Sequence, residues 1–481
     1  MKNIHISKYI LFVSFLFSSL LFSCNNKQTD IGMNSTELER DLDEIKASGK
    51  LKVVTDFSSI NYFIYKGKPM GFQYEMLQEL SDYLGIEVEV SVNNDLQSNF
   101  NALVNGEVDL FASNLTVTAE RENLVDFTTP HSYSYQVLVQ QANKTHSFSN
   151  NEILRDPLRL AGKTVYVQKS SSHVQLLRTL SIQTGDLISI VEVPIETEQL
   201  IKMVARGEID YTVADQDVAL VTGSSISGVD IETVISYPHP QAWAVGKSSP
   251  ALKNEIDTWM NSFMTTRKYA VLHNKYFKSD HINKMVKSKY YYPESGKISP
   301  YDDIFKTEAE KIGWDWRLIA AMVYQESRFN PSAKSWAGAY GLMQLMPRTG
   351  NKFGVSANSS SKSQIQAGVK FIKWLDARLD NLVEDPEERK KFILASYNIG
   401  FGHVKDAIKL TEKYGKNPQI WEDNVEYYLL KKSEKEFYTD PVVVYGYARG
   451  KETYNYVKDI MYRYNQYLNI EENSHLAQIL Q

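Results

Sequence analysis

At 481 residues the chain is too long for one ordinary domain and implies two or three. Lys and Arg (53) nearly balance Asp and Glu (58), for a formal net charge of −5, so no basic excess argues for nucleic acid as a partner. Nine scattered His, none at ligand spacing, and one Cys give no metal site, and no GxSxG elbow or phosphate-cradling Gly loop points to a cofactor.

Residues Met1–Ser23 carry Lys2 and Lys8 ahead of an apolar run from Tyr9 to Phe22. The run is short for a membrane-spanning helix and reads as an export signal. Leu21-Phe22-Ser23-Cys24 resembles a bacterial lipobox, with Phe22 a departure from the commonest pattern. The resemblance implies that Cys24 is lipidated and anchors the chain to a membrane at the periplasmic face of the envelope, with the outer membrane expected. With no second Cys there is no internal disulfide. Residues 24–41 are polar and aperiodic, a tether between anchor and folded body.

From 42 to 278 short apolar runs alternate with amphipathic stretches. Strands are expected at Leu51–Thr55, Ile86–Val92, Thr164–Val167 and Ile188–Val193, with helices at Gln73–Leu84 and His173–Leu180. That alternation predicts an α/β domain whose helices cover a largely parallel sheet. Gly106-Glu107-Val108-Asp109 is echoed by Gly207-Glu208-Ile209-Asp210, which suggests two similar lobes. Lys68-Pro69-Met70-Gly71-Phe72-Gln73-Tyr74-Glu75, and Asn114-Leu115-Thr116-Val117-Thr118-Ala119-Glu120-Arg121 followed by Asp126-Phe127-Thr128-Thr129-Pro130, resemble the signatures of family-3 periplasmic solute-binding proteins. The resemblance implies an α/β two-lobed periplasmic-binding-protein-like fold closing on a zwitterion. Arg121, helped by Thr116, would take a carboxylate, and Asp215 in the second lobe would take an amino group. The planar fork of Arg suits two parallel bonds to a carboxylate. An amino acid or wall peptide is the expected ligand. Lys169-Ser170-Ser171 stands where many such receptors have Gly, so the ligand's identity stays open.

Residues 279–299 are basic and polar, with Tyr290-Tyr291-Tyr292-Pro293 near the end, and read as an interdomain linker. Helical patterns fill 300–481: Ile304–Ile312, Arg317–Ser327, Ile365–Leu382, Pro386–Tyr397, His403–Tyr414 and Tyr454–Leu468. They predict an all-α domain.

One helical stripe in that domain carries an odd residue. Leu318, Met322 and Glu326 fall four apart beside Ile319 and Val323, so Glu326 continues an apolar face in the last turn before Asn330-Pro331. Desolvation and the negative end of the helix dipole should raise its pKa, which suits a general acid. Gly338-Ala339-Tyr340-Gly341-Leu342-Met343-Gln344 reads as a tight turn entering a new helix stopped by Pro347 and Gly350.

Glu326-Ser327-Arg328-Phe329-Asn330-Pro331, Gly338 to Pro347, Ala395-Ser396-Tyr397-Asn398-Ile399-Gly400 and Glu452-Thr453-Tyr454-Asn455-Tyr456-Val457 resemble, in order, the signature segments of soluble-type lytic transglycosylases. That implies an all-α lysozyme-like (goose-type) catalytic domain acting on peptidoglycan glycan strands with one carboxylate, Glu326. Ser335, Gln344, Met346, Tyr397 and Glu452 would line the sugar subsites, and Tyr397 would orient the substrate acetamido group or Glu326. A water-using muramidase on the same fold, or a receptor with an inactive enzyme half, are the other readings.

Overall fold

The computed structural model describes residues 40–142, 153–278 and 280–479. The expected export signal, Cys24 and most of the expected 24–41 tether lie outside them. The first lobe takes β1 (Lys50–Thr55), β2 (Phe63–Tyr65), β3 (Lys68–Met70), β4 (Glu87–Val92), β5 (Leu110–Thr116), β6 (Asp126–Phe127) and β7 (Ser132–Ser134). The second takes β8 (Gln136–Gln141), β9 (Thr164–Gln168), β10 (Ser189–Val193), β11 (Tyr211–Asp215) and β12 (Val229–Val234), after which β13 (His239–Val245) returns to the first.

The sheets of the two lobes run β4-β1-β5-β13-β6, with β7 beside β13, and β10-β9-β11-β8-β12, while β2 and β3 pair as a separate antiparallel hairpin. β1 is parallel to β4 and β5, and β9 is parallel to β10 and β11, as the alternation predicts. β13 is antiparallel to β5, β6 and β7, and β8 is antiparallel to β11 and β12, so each sheet is mixed rather than largely parallel. All five of these antiparallel pairings involve β8 or β13, the strands on which the chain enters a lobe from the other one. β5 is buried along nearly its whole length, as a central strand covered on both faces should be, whereas β4 alternates.

The helix Phe72–Leu84 starts at Gly71, where φ is 135° and a Cβ would sit 2.1 Å from the Asn61 carbonyl oxygen. Only Gly fits that approach. The echoed glycines Gly106 and Gly207 both have positive φ (70° and 76°) and both turn the chain from a helix towards a strand. The Asp residues of the echo part ways: Asp109 is buried and paired with Arg40 at 2.7 Å, while Asp210 is exposed.

Between the two halves the chain is helical at Asp280–Val286 and Tyr292–Ser295. Met285, Val286, Tyr291, Tyr292 and Ile298 are buried there and Lys284, Lys287 and Lys289 face solvent, so the polar composition hides a packed face.

The helical domain contains Asp302–Glu310, Trp316–Ser327, Ser361–Leu379, Pro386–Ile399, Phe401–Lys413 and Gly450–Ile479. The helix expected from Leu342 does not form. Residues 341–344 are a run of turns, and Pro347 opens a helix (Pro347–Lys352) instead of stopping one, since a first-turn position needs no N–H. The last helix is longer than Tyr454–Leu468 because its second half docks on the first lobe. Gln466 Oε1 accepts from Tyr62 at 2.8 Å, Tyr467 donates to the Gly67 carbonyl at 2.6 Å, and Asn469 donates to the Val90 carbonyl at 2.7 Å. One apolar core therefore runs from Phe72 and Trp243 of the first lobe to Ile319 and Ile460, whereas the second lobe has separate clusters around Leu177 and Ile201.

Candidate active site and binding cleft

Glu326 lies in the last turn of Trp316–Ser327, whose preceding residues Leu318 to Val323 are buried. The helix ends on Arg328 and Phe329, both left-handed (φ 51° and 63°), which swings the chain sharply away and leaves Glu326 facing the domain interior. Arg328 is exposed and forms no ion pair with Glu326 among the described residues. Glu326 Oε1 instead accepts a hydrogen bond from the Tyr456 hydroxyl at 2.5 Å, and Oε2 has no partner among the described residues. Burial raises the Glu326 pKa to about 7, and the Tyr456 bond pulls in the opposite direction. The same surroundings hold the Tyr397 and Tyr456 hydroxyls well above their usual pKa, through burial first and then the nearby carboxylate.

Tyr397 is close enough to feel Glu326, yet its hydroxyl donates to the Met343 carbonyl at 2.8 Å. It braces the 341–346 turn, and the residue that orients Glu326 is Tyr456. The resemblance pointed to Tyr397 for that role and left Tyr456 without one. The signal that would have found it is its four-residue spacing from Glu452 on one helix face.

Gln344 adopts φ 46° and folds back, its Nε2 donating to the carbonyls of Gly341 (2.8 Å) and Ala333 (3.2 Å). Ser335 shapes the preceding loop by accepting from the Ala339 N–H at 2.9 Å. Gly341 (φ 76°) lies so close to Gln364 that a Cβ would be 2.3 Å from Oε1. Met346 is 46% exposed, and Glu452 is exposed in the first turn of the last helix with no side-chain partner among the described residues. The loop residues are thus brought together by backbone bonds, and Met346 and Glu452 are the members left open to a ligand.

In the binding domain Arg121 reaches across the lobes. Its Nη1 donates to the Thr116 carbonyl at 2.9 Å and its Nη2 to the Ser170 carbonyl at 3.3 Å, with Phe100 under the guanidinium. Burial lowers its pKa to about 10, against the opposing charges of Asp215 and Glu120, and it stays charged. Thr116 thereby positions Arg121 through its carbonyl. Asp215 ends β11, accepts from Gln241 Nε2 at 3.3 Å and lies 3.7 Å from His173 Nε2. The lobes are joined further by Ser59 N–H and Oγ, which donate to Glu198 Oε1 at 2.9 and 2.6 Å, and by Asn94 Nδ2 to Glu196 at 3.0 Å. Among the described residues no group of three or more His, Cys, Asp or Glu side chains could hold a metal ion, and no helix is long and apolar enough to cross a membrane.

A two-lobed solute-binding fold fused to a helical domain with one buried, Tyr-held carboxyl defines a transglycosylase with an attached receptor domain. Family models agree, matching bacterial extracellular solute-binding proteins, family 3, over residues 50–279 and the transglycosylase SLT domain over residues 303–420. Membrane-bound lytic murein transglycosylase F of Desulfosudis oleivorans is 34% identical over 423 residues, covering 88% of this chain and 90% of that protein. The protein of the same name from Pseudomonas syringae pv. tomato is 31% identical over 429 residues, covering 88% and 84%. Among solved structures, an ancestral arginine-binding protein bound to arginine matches at 25% identity and a TM-score of 0.42, over 48% of this chain and 98% of its own. The chain belongs to the membrane-bound lytic murein transglycosylase F family.

Proposed function

We propose that the protein is a carbon–oxygen lyase that cleaves the β-1,4 bond between N-acetylmuramic acid and N-acetylglucosamine in peptidoglycan and leaves 1,6-anhydro ends. The observation that carries this reading is the Glu326 carboxyl, with one oxygen held by Tyr456, the other without a partner, and a pKa of about 7 set by burial. Such a group is protonated often enough to give its proton and is then basic enough to take one back. Glu326 donates to the glycosidic oxygen as the C1–O bond breaks. The resulting carboxylate removes the proton of the C6 hydroxyl, whose oxygen closes onto C1. The substrate's acetamido group eases the charge at C1, in place of the second carboxylate that most glycosidases use. Met346 and Glu452 contact the glycan from the open side of the site, and Ser335, Gln344 and Tyr397 keep its wall in place.

The receptor cleft takes an amino acid or wall peptide through Arg121 and Asp215, and ligand binding changes turnover at Glu326. Any such coupling should be of ordinary allosteric size, about 1–3 kcal/mol. Lipidation at Cys24 tethers the protein to the outer membrane, and Cys24→Ser should release it in soluble form. The deciding experiment is mass spectrometry of digested peptidoglycan. Anhydro ends are lighter by one water than the reducing ends a muramidase leaves, and exclusively reducing ends would overturn the reading.

A further inference from the structure

The chain has seven Trp residues, and one of them is placed unlike the rest. Trp243, Trp259 and Trp421 are buried, and Trp314, Trp316 and Trp374 are partly covered by the core. Trp336 is 98% exposed, more than any other large hydrophobic side chain among the described residues. An indole left wholly in water forgoes the stabilisation its burial would give. One exposed apolar side chain is ordinary in itself, so its significance depends on its position.

Trp336 stands on a tightly bonded turn. Ser335 N–H donates to the Ala339 carbonyl at 2.9 Å, Gly338 N–H to the Ser335 carbonyl at 3.0 Å, and Ala339 N–H to Ser335 Oγ at 2.9 Å. Lys334 pairs with Tyr340, and Tyr340 in turn with Leu345, through antiparallel bridges. At the base of the turn Gly341 N–H donates to the Ala333 carbonyl at 2.8 Å. Ser327 Oγ, next in sequence to Glu326, donates to the Leu342 carbonyl at 2.9 Å. The base is therefore fixed beside the carboxyl that carries the chemistry. Trp336 follows Ala333 by three residues, so it stands no more than about 10 Å beyond that base.

A glycan strand is a polymer and extends past the bond being cut. The ring C–H groups of a pyranose form an apolar face, while its hydroxyls project from the rim and stay hydrated. The electron-rich face of an indole suits those C–H groups and leaves the hydroxyls in water. A rigid aromatic also makes such contact at a small cost in conformational entropy. A membrane contact would need a broad apolar face, and the neighbours Lys334, Ser335 and Ala337 do not provide one.

We propose that Trp336 is a stacking platform for a sugar ring of the glycan strand, a subsite outside the two sugars joined by the scissile bond. This rests on the reading of peptidoglycan as the substrate at Glu326. The platform strengthens the hold on long strands relative to short fragments and takes no part in proton transfer.

The test uses Trp336 as the one exposed indole of the seven. In the full-length Glu326→Gln protein, which should leave strands uncut, iodide quenching of Trp fluorescence reads mainly this residue. Solubilised glycan strands should suppress the quenching, and Trp336→Phe should remove the quenchable component. In the active protein, Trp336→Ala should raise KM for long strands about tenfold and leave kcat within about twofold, with Trp336→Phe recovering most of the loss. Turnover of the shortest cleaved fragment should not change. Thermal melts confirm that each variant is folded. Strands that co-sediment with the protein yet leave quenching unaltered would overturn the proposal, as would a Trp336→Ala variant with the parent's KM. Shielding by anionic lipid vesicles and not by strands would overturn it too, and would make Trp336 a membrane contact. If strands do not bind at all, the reading of the substrate falls and takes this one with it. Reducing ends in the digested product would sink the lyase reading alone and leave the subsite standing.

Discussion

The two lobes of the binding domain repeat one chain pattern but are held in different ways. The first shares a continuous apolar core with the helical domain, and the second has cores of its own. Where the lobes meet around the cleft, the contacts are polar: Ser59 with Glu198, Asn94 with Glu196, Arg121 with Ser170. Polar contacts exchange with water at little net cost, whereas exposing a shared core does not. The first lobe is thus part of the enzyme's frame, and the second meets it mainly through polar cleft contacts, with Val221 as its buried tie to the shared core.

Four experiments would break or sharpen that contrast. The largest effect is expected from Glu326→Gln, which should lower turnover on peptidoglycan by roughly 10²–10⁴ with the fold retained. The same change should stabilise the protein. Folded Glu326 keeps its proton to about pH 7 and the unfolded group gives it up near 4.5, so its contribution is lost as pH rises through that window. Above pH 7 the variant should gain up to about 3 kcal/mol, fading to nothing below pH 4.5. Calorimetric scans should place that gain in the transition that the first lobe shares with the helical domain and leave the second lobe's transition alone.

Next come paired core truncations. Phe72→Ala should cost about 3–5 kcal/mol and lower the melting of lobe one and enzyme together, so activity falls along the same curve. Leu177→Ala should cost about 2–5 kcal/mol and bring down the second lobe first, with turnover preserved at temperatures between the two transitions. One common transition in both variants would erase the contrast.

Tyr456→Phe should act more gently. Its hydroxyl favours the ionised carboxyl, so removing it should move the Glu326 pKa further above 7 and carry the alkaline limb of the pH–rate profile to higher pH. An unmoved limb would mean that Tyr456 only packs. The smallest effect belongs to Ser59→Ala, which removes the 2.6 Å bond to Glu198 and keeps the backbone one. Amide exchange at Ser59 should quicken by a factor of about three to ten, for roughly 0.5–1.5 kcal/mol of lost closure. Unchanged exchange would show that other contacts keep the lobes shut.

Much of this architecture could be read from residue spacing alone. The stripe through Leu318 and Met322 put Glu326 on a buried helix face, and desolvation is indeed the first cause of its raised pKa. The strands and the helix expected at Gln73–Leu84, which spans Phe72–Leu84, followed from the alternation of apolar runs with amphipathic stretches. What spacing could not supply was partnership across the chain. Whether Tyr397 or Tyr456 turns its hydroxyl to Glu326 depends on where the Met343 carbonyl lies, a fact of tertiary packing. Pro347 was read as a stop because Pro ends helices as readily as it begins them, and the left-handed Gln344 just before it settles the matter. The fused core was also out of reach, because each half shows its own self-sufficient period and neither advertises the other.

The bonds from Tyr62, Gly67 and Val90 to Gln466, Tyr467 and Asn469 join residues about four hundred positions apart. During synthesis the first lobe emerges long before the helix that covers it. Closing so long a loop is slow, so a partly finished first lobe must persist until that helix has been made, with the side around Gly67 uncovered. A chain cut short before residue 462 would lose more than a helix end. It would strand a binding domain whose sticky flank has nothing to close it, and such fragments should be aggregation-prone and quickly proteolysed.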